Sequence, residues 1–422
     1  MLQLEVLKAN IEAAKAGLNK KHFPQPELVD TAISLDEQKK SIKTEIDQLL
    51  AERNKLSKEI GALMKSKDSK AESVKQRVAE IKNTIEPLEA QIAQVEQALH
   101  DTLVQLPNLP ADIVPEGTSA EDNVVVFQVD TLPHASVNAL PHWELAKQYD
   151  IIDFELGVKL TGPGFPVYKG KGAILQRALI SFFLQEAAQA GYLERMLPLM
   201  VNEDSAYATG QLPDKEGQMY HIVKDNFYLI PTAEVPLTNI YRDVILEESD
   251  LPIKITGYTP CFRREAGSYG KDVRGLNRLH QFDKVEIVQI QHPDKSYDTL
   301  QEMCNHVAGL LQKLRLPYRI LRLCGGDMSF TSALTYDFEV YSVAQERWLE
   351  VSSVSNFETF QSNRLKLRFR NADNKKQLAH TLNGSALALP RILAGILELN
   401  QTPEGIKIPE VLQKYTGFEW IR

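Results

Sequence analysis

Hydrophobic positions in the first hundred residues fall into a heptad. Leu35, Ile42, Leu49, Leu56 and Leu63 recur every seven residues, Ile46 and Ile60 take the intervening position, and Lys39 and Arg53 occupy the other two. After the polar stretch Lys65-Ser66-Lys67-Asp68-Ser69-Lys70, the pattern resumes with Val74, Val78, Ile81, Ile85, Leu88, Ile92, Val95 and Leu99, alternating steps of four and three. This period predicts two helices with facing apolar seams, folded back on each other by a short turn as an antiparallel hairpin. At about 1.5 Å of rise per residue, Leu35 to Leu63 alone would reach roughly 40 Å. Pro87 lies inside the second helix and is expected to kink it or to free the carbonyl of Asn83.

A proline-rich stretch, LPNLPADIVPEGTSAEDNVVV, carries Pro107, Pro110 and Pro115 and ends the helical pattern near Leu106. The expected organisation is an arm over residues 1–106, a linker over 107–123 and a body over 124–422. Within the body, an apolar helical pattern from Gly172 to Ala190 leads into GYLERMLPLMV, with Gly191 and Pro198. Prolines flank Thr232-Ala233-Glu234-Val235, so Thr232 and Glu234 are expected on one side of an extended segment. Residues 384–389 alternate small and large ahead of Pro390, which suits the first position of a helix and leaves Arg391 in its first turn. The body reads as α+β with a mainly antiparallel sheet and flanking helices.

Composition narrows the function. A chain of 422 residues suggests two or three domains, and 25% charged with 43% hydrophobic residues is ordinary for a soluble protein. The net charge of −8 excludes a generally basic nucleic-acid coat, so any such contact must come from a local patch. One candidate is the hairpin tip, where Arg53, Lys55, Lys58, Lys65, Lys67, Lys70, Lys75 and Arg77 face only Glu59, Asp68 and Glu72. A basic tip on a stalk can read a phosphate backbone, although from the arm alone a solvated coiled-coil face is the plainer reading. Cys261, Cys304 and Cys324 form no C-x-x-C pair, which suits a reducing compartment, the cytoplasm, and gives no reason to expect zinc. Glu5, Lys8 and Glu12 interrupt the N-terminal segment, so neither a signal peptide nor a membrane span is expected.

The chemistry concentrates in TPCFRREAGSYGKDVRGLNRLHQFDKVE, residues 259–286, which reads as two strands joined by a charged loop. If Phe262 to Glu265 is extended, Arg263 and Glu265 share a face: a cation for phosphate and a carboxylate for an amine. Phe282, Lys284 and Glu286 share a face by the same parity. Such charges are rarely buried without partners, so the surface they form suits a ligand better than a core.

The run R-x-E, loop, R-x-H-x-F-x-x-x-E resembles motif 2 of the class II aminoacyl-tRNA synthetases, and GSYGKDVRGLNRLHQFDKVE is similar to the seryl-tRNA synthetases in particular. The proline-rich stretch is similar to that family's arm-to-body junction. The resemblance implies the family's class II sheet, an arm that grips the long variable arm of tRNA, and a homodimer through the helix and strand around Gly191 and Pro198. It implies ATP-dependent activation of serine and its transfer to the 3′ end of tRNA(Ser), with tRNA(Sec) also charged where that tRNA exists. Arg263 would stabilise the α-phosphate and Arg391 the γ-phosphate. Phe282 would stack on adenine, Glu265 would accept from its exocyclic amine, and Arg264, Val351 and Ser352 would complete the ATP site. Glu350 and Ser353 would hold Mg²⁺, which requires a bend between them because residues three apart on a regular strand face opposite ways.

For serine, the resemblance implies Thr232, Ala233 and Glu234 around the ammonium group, Arg263, Glu286, Asn383 and Ser385 around the rest, and Thr381 near the hydroxyl. A site built to bond that hydroxyl would reject alanine by about 10⁴-fold. Alternatives are a synthetase-like ligase acting on a carrier protein, a non-catalytic synthetase paralogue, and a coiled-coil interaction protein.

Overall fold

The computed structural model describes residues 1–66, 69–133, 139–214, 216–265 and 274–422. The chain divides into two compact units, Met1–Pro107 and Asn108–Arg422. The first holds two short helices, Leu4–Ala9 and Ile11–Lys20, then α1 (Leu28–Ser66) and α2 (Lys70–Gln105). At 39 residues, α1 is about 58 Å long, beyond the span read from its seam. Ile42, Ile46 and Val95 are buried along the seam, with Leu35, Leu88 and Ile92 packed against them. The polar interruption at Lys39 is answered across the hairpin by Glu96, 2.8 Å away.

The second helix runs unbroken through Pro87, so the break that proline threatens is absorbed within a continuous helix. A proline at this position still denies the Asn83 carbonyl an amide partner. Pro87→Ala is therefore expected to strengthen the local helix by about 3 kcal/mol. Amide hydrogen exchange in residues 83–91 of the full chain should slow, and unchanged exchange would refute this cost.

The second unit begins at Asn108 rather than Val124. The Asn108 amide donates to Phe330 O at 2.9 Å, and its side chain donates to the carbonyls of Thr331 and Phe357, each at 2.9 Å. Residues expected as a linker are thus hydrogen-bonded into the body.

Eight strands form the main sheet: β1 (Val124–Gln128), β2 (Leu193–Glu194), β3 (Ile253–Phe262), β4 (Gln281–Gln291), β5 (Tyr318–Arg322), β6 (Leu334–Ser342), β7 (Arg347–Asn356) and β8 (His380–Ala388). Their order is β1-β5-β6-β7-β8-β4-β3-β2. Neighbours pair antiparallel except β2 with β3. The flanking helices include α3 (His142–Gln148), α4 (Gly170–Gln189), α5 (Glu234–Asn239), α6 (Ser296–Lys313), α7 (Thr359–Leu365) and α8 (Leu389–Leu399).

Strand alternation sorts the side chains. Val285 and Ile287 of β4, Phe338 and Val340 of β6 and Leu382 of β8 enter a core with Phe182 and Phe183 of α4 and Ile392 and Ile396 of α8. Their neighbours in the same strands, Lys284, Glu286, Asp337, Glu339 and Asn383, line a cavity on the other face. One face of the sheet is therefore apolar and helix-covered while the other carries the polar groups. Among the described residues, no helix is long and apolar enough to cross a membrane.

Candidate active site

The polar face opens into a cavity of about 1080 Å³ lined by Arg263, Phe282, Glu286, Glu350, Ser353 and Arg391, among others. Arg263 enters from the end of β3. Its Nε donates to Pro231 O at 3.3 Å, and its guanidinium carbon stands 5.3 Å from the centre of the Phe282 ring. The expected extension through Glu265 does not hold: β3 ends at Phe262 and Glu265 has φ of +49°. Glu265 nevertheless lines the cavity, ion-paired to Arg278 at 3.0 Å. Arg264 is exposed and does not line it, because the chain turns there and its amide donates to Gln218 O at 2.9 Å. The loop GSYGKDV, residues 267–273, lies outside the described residues.

Glu350 and Ser353 reach one face through a bulge. Phe338 opposes Ser352 but Glu339 opposes Glu350, so Val351 is one residue extra in β7. A spacing of three then acts as a spacing of two. Val351 and Ser352 also line the cavity. Opposite Ser353, on β6, stands Asp337. Its Oδ1 is buried without a hydrogen-bond partner among the described residues. Burial, and next the charge of Glu350, hold its carboxyl well above the usual carboxylate range.

Arg391 lies in the first turn of α8, one residue after Pro390. Its Nε donates to Asn277 O at 3.0 Å and its Nη1 to Glu350 O at 2.7 Å. The Glu350 carboxylate is 3.8 Å from Nη1. A guanidinium presents five donors in a plane, so these two bonds orient it and leave the others for a ligand.

A second group of charges lines the same cavity. Glu286 pairs with Lys284 at 2.6 Å and accepts from Thr232 Oγ1 at 3.3 Å. Thr232 Oγ1 in turn accepts the Glu234 amide at 3.2 Å. Glu234 is the first residue of α5, so the expected extended segment is a strand end and a helix start. Pro236 sits in the first turn of that helix, where a missing amide costs nothing. Glu234 accepts from Gln361 Nε2 of α7 at 2.7 Å. Its pKa is raised to about 7, mainly by burial and then by Glu286.

Two residues expected around serine do not reach the cavity. Ala233 is fully buried and packs with Leu237, Ile255 and Val288, so its side chain faces the interior. Thr381 is also fully buried, its hydroxyl donating to Gln361 Oε1 at 2.8 Å. It shares a strand face with Asn383 and Ser385, which do line the cavity, but Gln361 covers it. Sequence reading missed Asp337, Asn277 and Gln361. The alternation Thr335, Asp337, Glu339, all cavity residues, is the period-two signal that could have found Asp337. Asn277 and Gln361 carry no such signal.

In the first unit, Arg53, Lys55, Lys58 and Lys65 lie on α1 and Lys70, Lys75 and Arg77 on α2, while Lys67 lies outside the described residues. Arg77 forms a two-pronged pair with Glu52 at 2.9 and 3.2 Å, and Lys75 lies 3.2 Å from Glu72. Lys55, Lys58 and Lys65 are exposed.

Comparison with known proteins places this geometry. Residues 1–110 match the seryl-tRNA synthetase N-terminal domain and residues 220–400 the tRNA synthetase class II core domain for G, H, P, S and T. A serine--tRNA ligase of Salinibacter ruber is 49% identical over 421 residues, covering 99% of this chain and 98% of that protein. The chain belongs to the seryl-tRNA synthetase family. Another member, from Methylacidiphilum infernorum, is 46% identical over 426 residues and all of both chains. The crystal structure of a seryl-tRNA synthetase from Pyrococcus horikoshii, complexed with ATP, superposes with a TM-score of 0.93 at 32% identity, covering 100% of this chain and 99% of that one. The α+β class and the antiparallel sheet expected from sequence are those of this seryl-tRNA synthetase fold.

Proposed function

We propose that this protein activates serine with ATP and transfers it to the 3′ end of tRNA(Ser). The observation that carries the reading is that one cavity is lined by Arg263, Arg391 and Glu350 together with the buried Thr232, Glu234 and Glu286. A serine carboxylate oxygen attacks the α-phosphorus, the bond to the pyrophosphate oxygen breaks, and seryl-adenylate forms. A terminal ribose hydroxyl of the tRNA then attacks the carbonyl carbon and AMP leaves. No side-chain nucleophile is required, and positioning with charge neutralisation supplies the rate. Arg263 holds the α-phosphate, Arg391 the γ-phosphate, and Phe282 and Glu265 the adenine. Glu234 takes the ammonium group. Glu286, Asn383 and Ser385 surround the remainder of serine.

Mg²⁺ fits the residues present. Asp337, Glu339 and Glu350 put several carboxyls on the cavity wall, and the Asp337 Oδ1 has no partner among the described residues. Among those residues no group of three or more His, Cys, Asp or Glu could hold a metal, so Glu350 and Ser353 would share the ion with phosphate oxygens. Bound there, Mg²⁺ would neutralise phosphate charge.

The exposed lysines of the hairpin suit the backbone of tRNA, and the same grip would serve tRNA(Sec) where it exists. Leu193, Met196, Leu199 and Met200 are exposed at 60, 96, 37 and 49%. These four suit a homodimer contact beside the helix α4. The three cysteines are free and buried, consistent with work in the reducing cytoplasm.

One assay tests the reading: incubation with ATP and each amino acid, with and without bulk tRNA. Serine alone should support pyrophosphate exchange, and serine should appear on tRNA. Exchange without tRNA charging would favour a carrier-protein ligase, and no exchange a paralogue without catalysis.

A further inference from the structure

A buried chain of hydrogen bonds runs behind Arg391 and takes no part in the chemistry assigned so far. It starts at His142, the first residue of α3, whose side chain is fully buried. The Leu276 amide donates to His142 Nε2 at 2.8 Å. An amide can only donate, so the ring proton of the neutral imidazole sits on Nδ1. That atom is 2.8 Å from Glu398 Oε1.

Glu398, also fully buried, accepts further bonds from the His142 amide at 3.1 Å, from Gln345 Nε2 at 3.1 Å and from the Ser342 hydroxyl. Burial pushes its pKa up, but the hydrogen bonds from His142 and Ser342 outweigh it, and the net direction is downward. The carboxylate therefore stays ionised. Gln345 Oε1 receives Asn277 Nδ2 at 2.9 Å. The Asn277 carbonyl then accepts Arg391 Nε at 3.0 Å.

Residues 275–277 are thus held from two sides before they touch Arg391. The packing on the His142 side leaves no slack. Gly275 has φ of +63°, and a Cβ there would stand 2.3 Å from His142 Nε2 and 3.1 Å from the Trp143 ring. The Arg274 guanidinium carbon lies 5.4 Å from the Trp143 ring centre. The neutral imidazole and the buried carboxylate form a fully hydrogen-bonded pair, which holds the ring in a single orientation.

We propose that His142, backed by Glu398, is a positioning residue for Arg391, setting the Leu276 amide, hence the Asn277 carbonyl, hence the plane of the guanidinium. The proposal rests on Arg391 being a phosphate-binding group. Such second-layer contacts act on the affinity of the group they orient, and misplacement by about 1 Å costs up to about 10²-fold.

The test uses the full chain and two variants, His142→Phe and the milder Gln345→Leu, which also covers a folding failure of the first. KM for ATP and for serine are measured separately by pyrophosphate exchange, and equilibrium ATP binding is measured by calorimetry with and without Arg391→Ala. His142→Phe should raise the KM for ATP about tenfold and Gln345→Leu about threefold, with the KM for serine within about twofold. In the Arg391→Ala background, neither change should weaken ATP binding further. An equal rise in both KM values, no change in the KM for ATP, or an undiminished effect without Arg391 would overturn the proposal. ATP binding indifferent to Arg391→Ala alone would overturn the phosphate reading beneath it, and ATP binding sensitive to Arg391→Ala but not to the two variants would overturn the positioning alone.

Discussion

Replacing Arg391 by alanine is expected to abolish serine-dependent pyrophosphate exchange, with kcat/KM falling by about 10³-fold, equivalent to about 4 kcal/mol of lost transition-state stabilisation. The guanidinium is already fixed by the carbonyls of Asn277 and Glu350, so in the proposed role its remaining donors would meet the phosphates without further ordering. Arg391→Lys should recover little, because an ammonium restores the charge but neither the fork nor both carbonyl contacts. Folding should be preserved in both, since Arg391 stands at the cavity wall and not in the apolar core. Exchange at near wild-type rates in the alanine variant would remove this arginine from the phosphate site.

The second large effect concerns Glu234. Burial and the neighbouring Glu286 raise its pKa from 4.5 to about 7. The sign follows from proton binding: the folded state holds this proton more tightly than the unfolded state. Stability contributed at low pH is therefore lost as pH rises from about 4.5 to 7, on the order of 3 kcal/mol in all. Above that window the protein carries a buried carboxylate that a bound ammonium group would neutralise.

Two consequences can be measured. Glu234→Gln should raise the Tm of the unliganded protein at pH 8 by a few degrees, while kcat/KM for serine falls by at least about 10²-fold. In the unaltered protein, kcat/KM for serine should climb as pH rises through about 7 and then level off. The climb should be absent in the Glu234→Gln variant. A serine dependence that falls over the same range, or an unchanged slope in the variant, would detach Glu234 from the ammonium.

Placement was legible in the sequence wherever it follows from local periodicity. The heptad of α1 and α2 is a repeating signal, and partly buried Leu35, Leu88 and Ile92 beside buried Ile42, Ile46 and Val95 occupy the positions it names. Parity on β4 put Phe282, Lys284 and Glu286 on one face, and all three line the cavity. Prolines were harder to read, because the same residue serves an extended strand and the first turn of a helix: Pro236 took the second role. What sequence could not supply is contact between distant segments. Gln361 reaches Glu234 and Thr381 from α7, and Asn277 reaches Arg391 from a loop more than a hundred residues upstream. Those pairings exist only once the sheet has brought its strands together.

The extra residue at Val351 also says how this strand can tolerate change. Side chains at 350 and 353 look into the cavity together because the bulge absorbs one of the two residues between them; deleting Val351 would leave a regular spacing of two with both still on that face, whereas inserting one more residue would turn one of them toward the apolar helices. Swaps in the identity of Val351 should be accommodated far more readily than any lengthening of the strand by one. Register, more than chemistry, is what this part of the chain has to preserve.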